Sequence, residues 1–223
     1  MDDGKVQIPH ACYVRQQDVL PVEVMSQAQV TVIGVGAIGS MLAVTLAKMG
    51  IGKLVIYDGD TVEPHNLPNQ WYRPCDLGHP KVEALKNLLE SFGYDQVEAH
   101  ARNYTAQPLD GIVVCAVDSM DVRLRLWKAA RAMKNLTTWI DGRMGAEVGR
   151  ILVADPRDTS SVQAYEAELY PSREALQAPC TAKATMYCAS GLAALMAAKV
   201  GKVLLRRPYR RQLTIDFRNA LLV

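Results

Sequence analysis

The stretch AQVTVIGVGAIGS, Ala28 to Ser40, restricts the fold more than any other part of the chain. An apolar, β-branched run enters a turn with glycines at 34, 36 and 39, and MLAVTLAKMG continues as a helix that stops at Gly50. Glycines between a strand and a helix permit a tight turn and close backbone approach. The unpaired N–H groups of the helix start then face whatever anion lies above them. Gly34, Gly36 and Gly39 are therefore candidate nucleotide-binding residues, although glycines at this spacing also serve ordinary close packing. KLVIYD reads as a second short buried strand, and it ends on Asp58. An acid at the end of that strand, about 20 residues past the turn, is placed to accept hydrogen bonds from ribose hydroxyls.

The alternation continues along the chain. KVEALKNLLESFG is an amphipathic helix with Val82, Leu85, Leu88 and Leu89 at helical spacing, and VEAHARNY is a third strand. GIVVCAV reads as a fully buried strand, VRLRLWKAARAM as a helix, TTWID and GRILVAD as strands, and TMYCASGLAALMAAKVGKVLL as a long apolar helix. This order predicts an α/β fold: a doubly wound, mainly parallel sheet of Rossmann-like nucleotide-binding type, with its ligand at the C-terminal strand ends. A length of 223 residues suits one such domain over 1–223. No apolar run reads as membrane-spanning and the first 30 residues carry no leader pattern, so the expectation is a soluble, cytoplasmic protein. With 25 basic and 23 acidic residues the net charge is +2, which does not favour nucleic acid as a main partner, the arginines at 206, 207, 210 and 211 notwithstanding.

A nicotinamide enzyme has no evident use for the long polar loop DGDTVEPHNLPNQ that follows the ribose acid. Lys81 sits directly after Pro80, at a helix start, where a cation opposes the macrodipole unless an anion lies nearby. A triphosphate would supply that anion; a solvated lysine is the plain alternative. Asp118, in CAVDSMDVRLRLW, follows a buried strand at the ligand edge. It is a natural carboxylate for Mg²⁺ beside phosphates, or a helix cap.

Taken together, GVGAIG, YDGDTVEPHNLPNQ, DLGHPKVEAL and CAVDSMDVR resemble, in order and spacing, the ThiF, MoeB and ubiquitin-activating enzyme group of ATP-dependent adenylating proteins. The resemblance spans most of the chain. It implies that ATP and Mg²⁺ are used to join the C-terminal carboxylate of a ubiquitin-like or sulfur-carrier protein to AMP. Asp58 would bind ribose, Lys81 the phosphates and Asp118 the metal, with Asn66 and Gln70 in the loop that closes around the nucleotide. In YVRQ, within an N-terminal segment 1–28, Arg15 matches an arginine that reaches the neighbouring subunit's site, which implies a homodimer. The family pattern has an arginine just before the loop glutamine, and this chain has Asn69 there. Arg73, a few residues on, is the candidate substitute.

Some members of that group go on to a thioester, and Cys180 in APCTAK is the candidate, with Lys183 placed to favour the thiolate. An inert cysteine is the alternative. Cys115 and Cys188 fall in apolar runs and behave as small hydrophobes. The five cysteines form no CxxC pair, so zinc is not expected. His65 and His79 read as loop residues, since an ionised carboxylate nucleophile requires no general base. Residues 155–184 carry the weakest pattern and are expected to form a crossover loop receiving a partner's tail of small residues. Two other classes stay open: adenylation of a peptide or tRNA, and a nicotinamide oxidoreductase or nucleotide sensor.

Overall fold

The computed structural model describes residues 10–174 and 184–223. Its centre is one sheet in the order β3-β2-β1-β4-β5-β6-β7-β8. The strands are β1 (Gln29–Ile33), β2 (Lys53–Tyr57), β3 (Val97–His100), β4 (Gly111–Cys115), β5 (Leu136–Gly145), β6 (Val148–Ala154), β7 (Gln212–Asp216) and β8 (Leu221–Leu222). Strands β1 to β5 pair in parallel, and β6 to β8 add an antiparallel meander. The doubly wound, mainly parallel sheet predicted from the strand and helix order is therefore the one observed. Beyond the sequence reading are β7 and β8, and the joining of TTWID and GRILVAD into one long hairpin.

Helices cover both faces. On one side lie α1 (Val22–Met25), α2 (Ala37–Lys48), α3 (Lys81–Ser91) and α6 (Met186–Leu204), which pack Met25, Leu42, Leu46, Leu85, Leu192 and Met196 against Val30, Val32, Leu54 and Ile140. On the other, α4 (Met120–Ala130) and α5 (Thr159–Glu166) bring Leu126, Trp127 and Tyr165 onto Ile33, Val113 and Trp139. The α6 helix is 19 residues long and apolar enough to cross a membrane, which the sequence reading denied to any run. Here its apolar side, from Cys188 to Val200, is core surface packed on α2.

The weakly patterned 155–184 stretch is only partly loop. Asp158 caps α5 by accepting from Ser160 N at 3.0 Å, and Tyr165 of that helix is buried. The aspartate followed by Val162 and Tyr165 at helical spacing was the available signal. Cys180 and Lys183 lie outside the described residues.

Register defines the edge where a site can form. Tyr57, Ile33, Cys115 and Asp141 stand in one row across β2, β1, β4 and β5, with His100 of β3 beside Tyr57. The residues that follow are Asp58, Gly34 and Ala116, while β5 runs on past the row to Gly145.

A candidate nucleotide site at the carboxyl edge of the sheet

The glycine turn is built by close approach. Gly34 has φ +89°, and a Cβ there would sit 2.9 Å from the Ala116 carbonyl oxygen. At Gly39 a Cβ would fall 1.9 Å from the Gly34 carbonyl oxygen, so only glycine lets α2 start against the strand end. Gly36 differs: a Cβ there would meet nothing within 4 Å. Protein packing explains Gly34 and Gly39, whereas the space over Gly36, at the N-cap of α2, is open enough for a ligand to approach the helix N–H groups.

Asp58 closes this turn from the side. Its Oδ2 accepts from Val35 N at 2.8 Å and its Oδ1 from Asp60 N at 2.9 Å. A carboxylate has about four acceptor positions, so two remain for ribose hydroxyls. Burial raises its pKa above the ordinary 3.8, against the lowering effect of those two N–H bonds and of Lys81. An acid raised in this way contributes stability that is present below 3.8 and lost as pH rises through its folded value. Acceptance of ribose runs the opposite way, because only the ionised form has all its lone pairs. Nucleotide affinity is therefore expected to fall on acidification with a one-proton dependence centred above 3.8. Titration calorimetry with ADP, read as the ratio of wild type to Asp58→Asn so that the ligand's own protonation cancels, checks this. A ratio flat with pH would exclude the ribose role.

The polar loop after β2 clasps the same turn. Tyr72 Oη donates to Val35 O at 2.6 Å, and Trp71 N donates to Ser40 Oγ at 3.1 Å. Two short 3₁₀ turns, Pro64–Asn66 and Pro74–Asp76, shape it. Asn66 is buried, and its Oδ1 accepts from Glu63 N at 2.9 Å, so its amide oxygen serves the loop itself. The Oδ1 of Asn69 and the Oε1 of Gln70 are buried without a hydrogen-bond partner among the described residues. Such orphaned acceptors cost roughly 1–3 kcal/mol each unless a ligand or water donates to them. Gln70, expected in the loop that closes around the nucleotide, thus has an acceptor next to the clasp that no described residue satisfies.

Two expectations change in detail. Pro80 is the N-cap of α3 and Lys81 its first residue. Lys81 is buried, and its Nζ donates to Asp60 Oδ2 at 2.9 Å, so the anion that offsets its place at a helix start is already within the chain. Asp60 is itself 70% exposed, which leaves that side of the pair open to exchange for a phosphate. Arg73 is more committed: Nε and Nη2 fork onto Asp76 at 3.1 and 2.9 Å. The planar edge it would offer in place of the arginine absent at Asn69 is held by this pair.

Asp118 lies just beyond β4, in the turn against which Gly34 packs. It is exposed and without a polar partner among the described residues. The cap of α4 is Ser119, whose Oγ accepts from Val122 N at 3.3 Å, so helix capping does not account for Asp118. An exposed carboxylate here would suit Mg²⁺, which keeps several waters and takes one or two carboxylates plus phosphate oxygens.

Arg15 stands apart from this group. It is exposed, and with Cys12, Tyr13, Gln16 and Lys48 it lines a cavity of about 340 Å³. Lys48 ends α2, whose 12 residues begin at the glycine turn. A helix of that length spans about 18 Å, which puts Arg15 at the far end from the glycine turn of its own chain.

A cluster of buried charges that the sequence reading missed stands behind Asp118. Asp141 is fully buried and accepts from Arg123 Nε at 2.6 Å, Arg143 Nε at 2.8 Å and Tyr165 Oη at 2.9 Å. Arg123 Nη2 also donates to Val117 O at 2.5 Å and to Gly142 O at 3.2 Å, so one guanidinium ties the β4–α4 turn to the overhanging end of β5. Burial works against the Arg123 charge, but Asp141 outweighs it and holds the guanidinium above its ordinary range. Burial raises the Cys115 thiol to about 12 and the Cys188 thiol to about 11, so neither is a ready nucleophile.

Comparison with known proteins places these features. Residues 14–220 match the ThiF family. Ubiquitin-like modifier-activating enzyme 5 of Drosophila ananassae is 33% identical over 153 residues, a match covering 59% of this chain and 38% of the relative. The chain thus corresponds to well under half the length of that relative. Among solved structures, PaaA superposes with a TM-score of 0.75 at 18% identity, covering 100% of this chain and 76% of PaaA. E. coli MccB with ATP gives a TM-score of 0.71 at 19% identity, covering 99% of this chain and 72% of MccB. These two likenesses establish the fold.

Proposed function

The chain belongs to the ThiF family, and from that membership we propose that it adenylates the C-terminal carboxylate of a ubiquitin-like or sulfur-carrier protein with ATP. The observation that carries this reading is the convergence on one sheet edge of the glycine turn, Asp58 with two acceptor positions left, Lys81 and Asp118, which has no polar partner among the described residues. In the reaction an acceptor carboxylate oxygen forms a bond to the α-phosphorus. The bond from that phosphorus to the oxygen bridging the β-phosphate breaks, and pyrophosphate leaves with the electron pair. No proton has to move, because the acceptor carboxylate is already ionised at neutral pH.

The residues divide the work by charge. The N–H groups at the start of α2, over Gly36, face the phosphates, and Asp58 orients the ribose. Lys81 turns from Asp60 toward the triphosphate, a short exchange of one anion for another. Asp118 would hold Mg²⁺, which when bound would offset the repulsion between the approaching carboxylate and the phosphate. Arg15 completes the site of a second copy in a homodimer, the reading its position at the far end of α2 supports. The identity to an activating enzyme supports a protein acceptor. The fold likeness to E. coli MccB supports a second one, a short peptide with a free carboxylate.

Incubation with Mg-ATP and small β-grasp proteins, followed by mass spectrometry, tests the proposal. An acceptor heavier by one AMP, or a mass gain on this chain removed by dithiothreitol and absent from Cys180→Ala, is the expected result. An ATP-binding chain that modifies neither β-grasp proteins nor carboxylate peptides would overturn it.

A further inference from the structure

Arg143 carries a charge that the surrounding protein does not balance. Asp141 stands level with Cys115, the last residue of β4, so Arg143 lies two residues beyond the edge of the parallel sheet. Arg123 bonds both Val117 O and Gly142 O, and the residues that follow these two carbonyls, Asp118 and Arg143, therefore leave the edge side by side. The Arg143 side chain is only 10% exposed. Nε is on Asp141 and Nη1 on Glu168 O at 2.7 Å, while Nη2 is buried with no partner among the described residues.

The charges around it confirm the imbalance. Arg143 pairs across the hairpin with Arg150, which reaches Glu168 Oε2 at 2.9 Å. Arg150 and Glu168 balance each other and are 37% and 28% exposed, so among the described residues the buried set is Arg123 and Arg143 against Asp141, two cations on one anion. An excess cation with an orphaned donor is costly in such surroundings unless an anion joins it. The segment after α5 limits where that anion can enter: Glu168 O is on Arg143, and Ser172 N donates to Asp121 Oδ1 at 3.0 Å across the start of α4.

We propose that Arg143 receives the carboxylate end of the acceptor polypeptide. Its Nη2 holds one carboxylate oxygen, while the other faces the α-phosphorus beside Asp118. This assignment rests on the adenylation reading above and adds to it a residue that selects the acceptor. A free C-terminal carboxylate satisfies the orphaned donor and neutralises the excess charge; a C-terminal amide does neither. The guanidinium is planar and makes paired contacts with an oxyanion, which a lysine ammonium does not reproduce.

The test uses the protein loaded with Mg-AMPCPP, a non-reacting nucleotide, and two probes: acetyl-Ala-Gly-Gly with a free carboxylate and the same peptide as its amide. Wild type is expected to bind the acid about tenfold or more tightly than the amide. Arg143→Lys keeps a cation for Asp141 and so guards against misfolding, and Arg143→Met removes it. Arg143→Met is expected to lose the preference, and Arg143→Lys, which keeps the charge but not the paired contacts, to narrow it, both while binding AMPCPP as wild type does. No preference in the wild type, an intact preference in folded Arg143→Lys, or weakened AMPCPP binding in that variant would overturn the assignment. A wild-type protein that binds no AMPCPP would instead overturn the adenylation reading itself.

Discussion

Asp118→Ala should abolish AMP transfer and leave the protein as stable as before. The two halves of this expectation have separate causes. Asp118 makes no polar contact among the described residues and is exposed, so its removal disturbs neither the α4 cap, which is Ser119, nor the core. Surface changes of this kind stay within about 0.5 kcal/mol. In the reaction proposed here, by contrast, the same carboxylate would hold the metal that offsets the repulsion between two anions. Loss of one electrostatic element aimed at a developing charge typically costs about 10²–10³ in rate, and loss of the metal more. Pyrophosphate exchange into ATP, measured with a thermal melt on the same preparation, reads both. A lowered melting temperature would show that Asp118 is structural. Normal exchange in a stable variant would remove Asp118 from the mechanism.

How far the sequence revealed this site depended on how local each feature is. The glycine turn was legible because its requirements, a positive φ at Gly34 and no Cβ at Gly39, are met within six residues. Asp58 and Asp118 were legible because each directly follows an apolar strand, and a parallel sheet puts such residues on one edge. Other features depend on residues far apart in sequence. Asp60 as the partner of Lys81 comes from 21 residues away, and a helix start alone says only that some anion is needed. Arg73 looked free for a phosphate because nothing in its spacing shows that Asp76 would fold back onto its fork within a 3₁₀ turn. The buried cluster was least visible. VRLRLWK reads as a helix and nothing local in it marks Arg123 as buried, yet Arg123 is 2% exposed and pairs with Asp141, 18 residues on.

That cluster gives the second large effect, this time on stability. Asp141 is the one carboxylate shared by Arg123, Arg143 and Tyr165, and it is fully buried. Asp141→Ala leaves the Arg123 guanidinium, itself 2% exposed, without its counter-ion, and strips an acceptor from the buried Tyr165 hydroxyl. Removing one partner of a buried pair costs about 3–5 kcal/mol, because the remaining charge has no water to turn to. A domain this size loses about 2–4 °C of melting temperature per kcal/mol, so a drop of roughly 10 °C is expected. The total stability of a domain is about 5–15 kcal/mol, so the variant sits near the limit of folding. Replacing Arg123 and Asp141 together by Met and Leu removes the Arg123 charge with its counter-ion but leaves Arg143, 10% exposed, without Asp141, so only part of the loss is expected to be recovered, as calorimetric melts of the single and double variants would show. If Asp141→Ala melts with the wild type, the cluster is not what holds the β4–α4 turn against β5. The framework placing Asp118 beside Arg143 would then have to come from the apolar packing of Trp127, Trp139 and Leu126 alone.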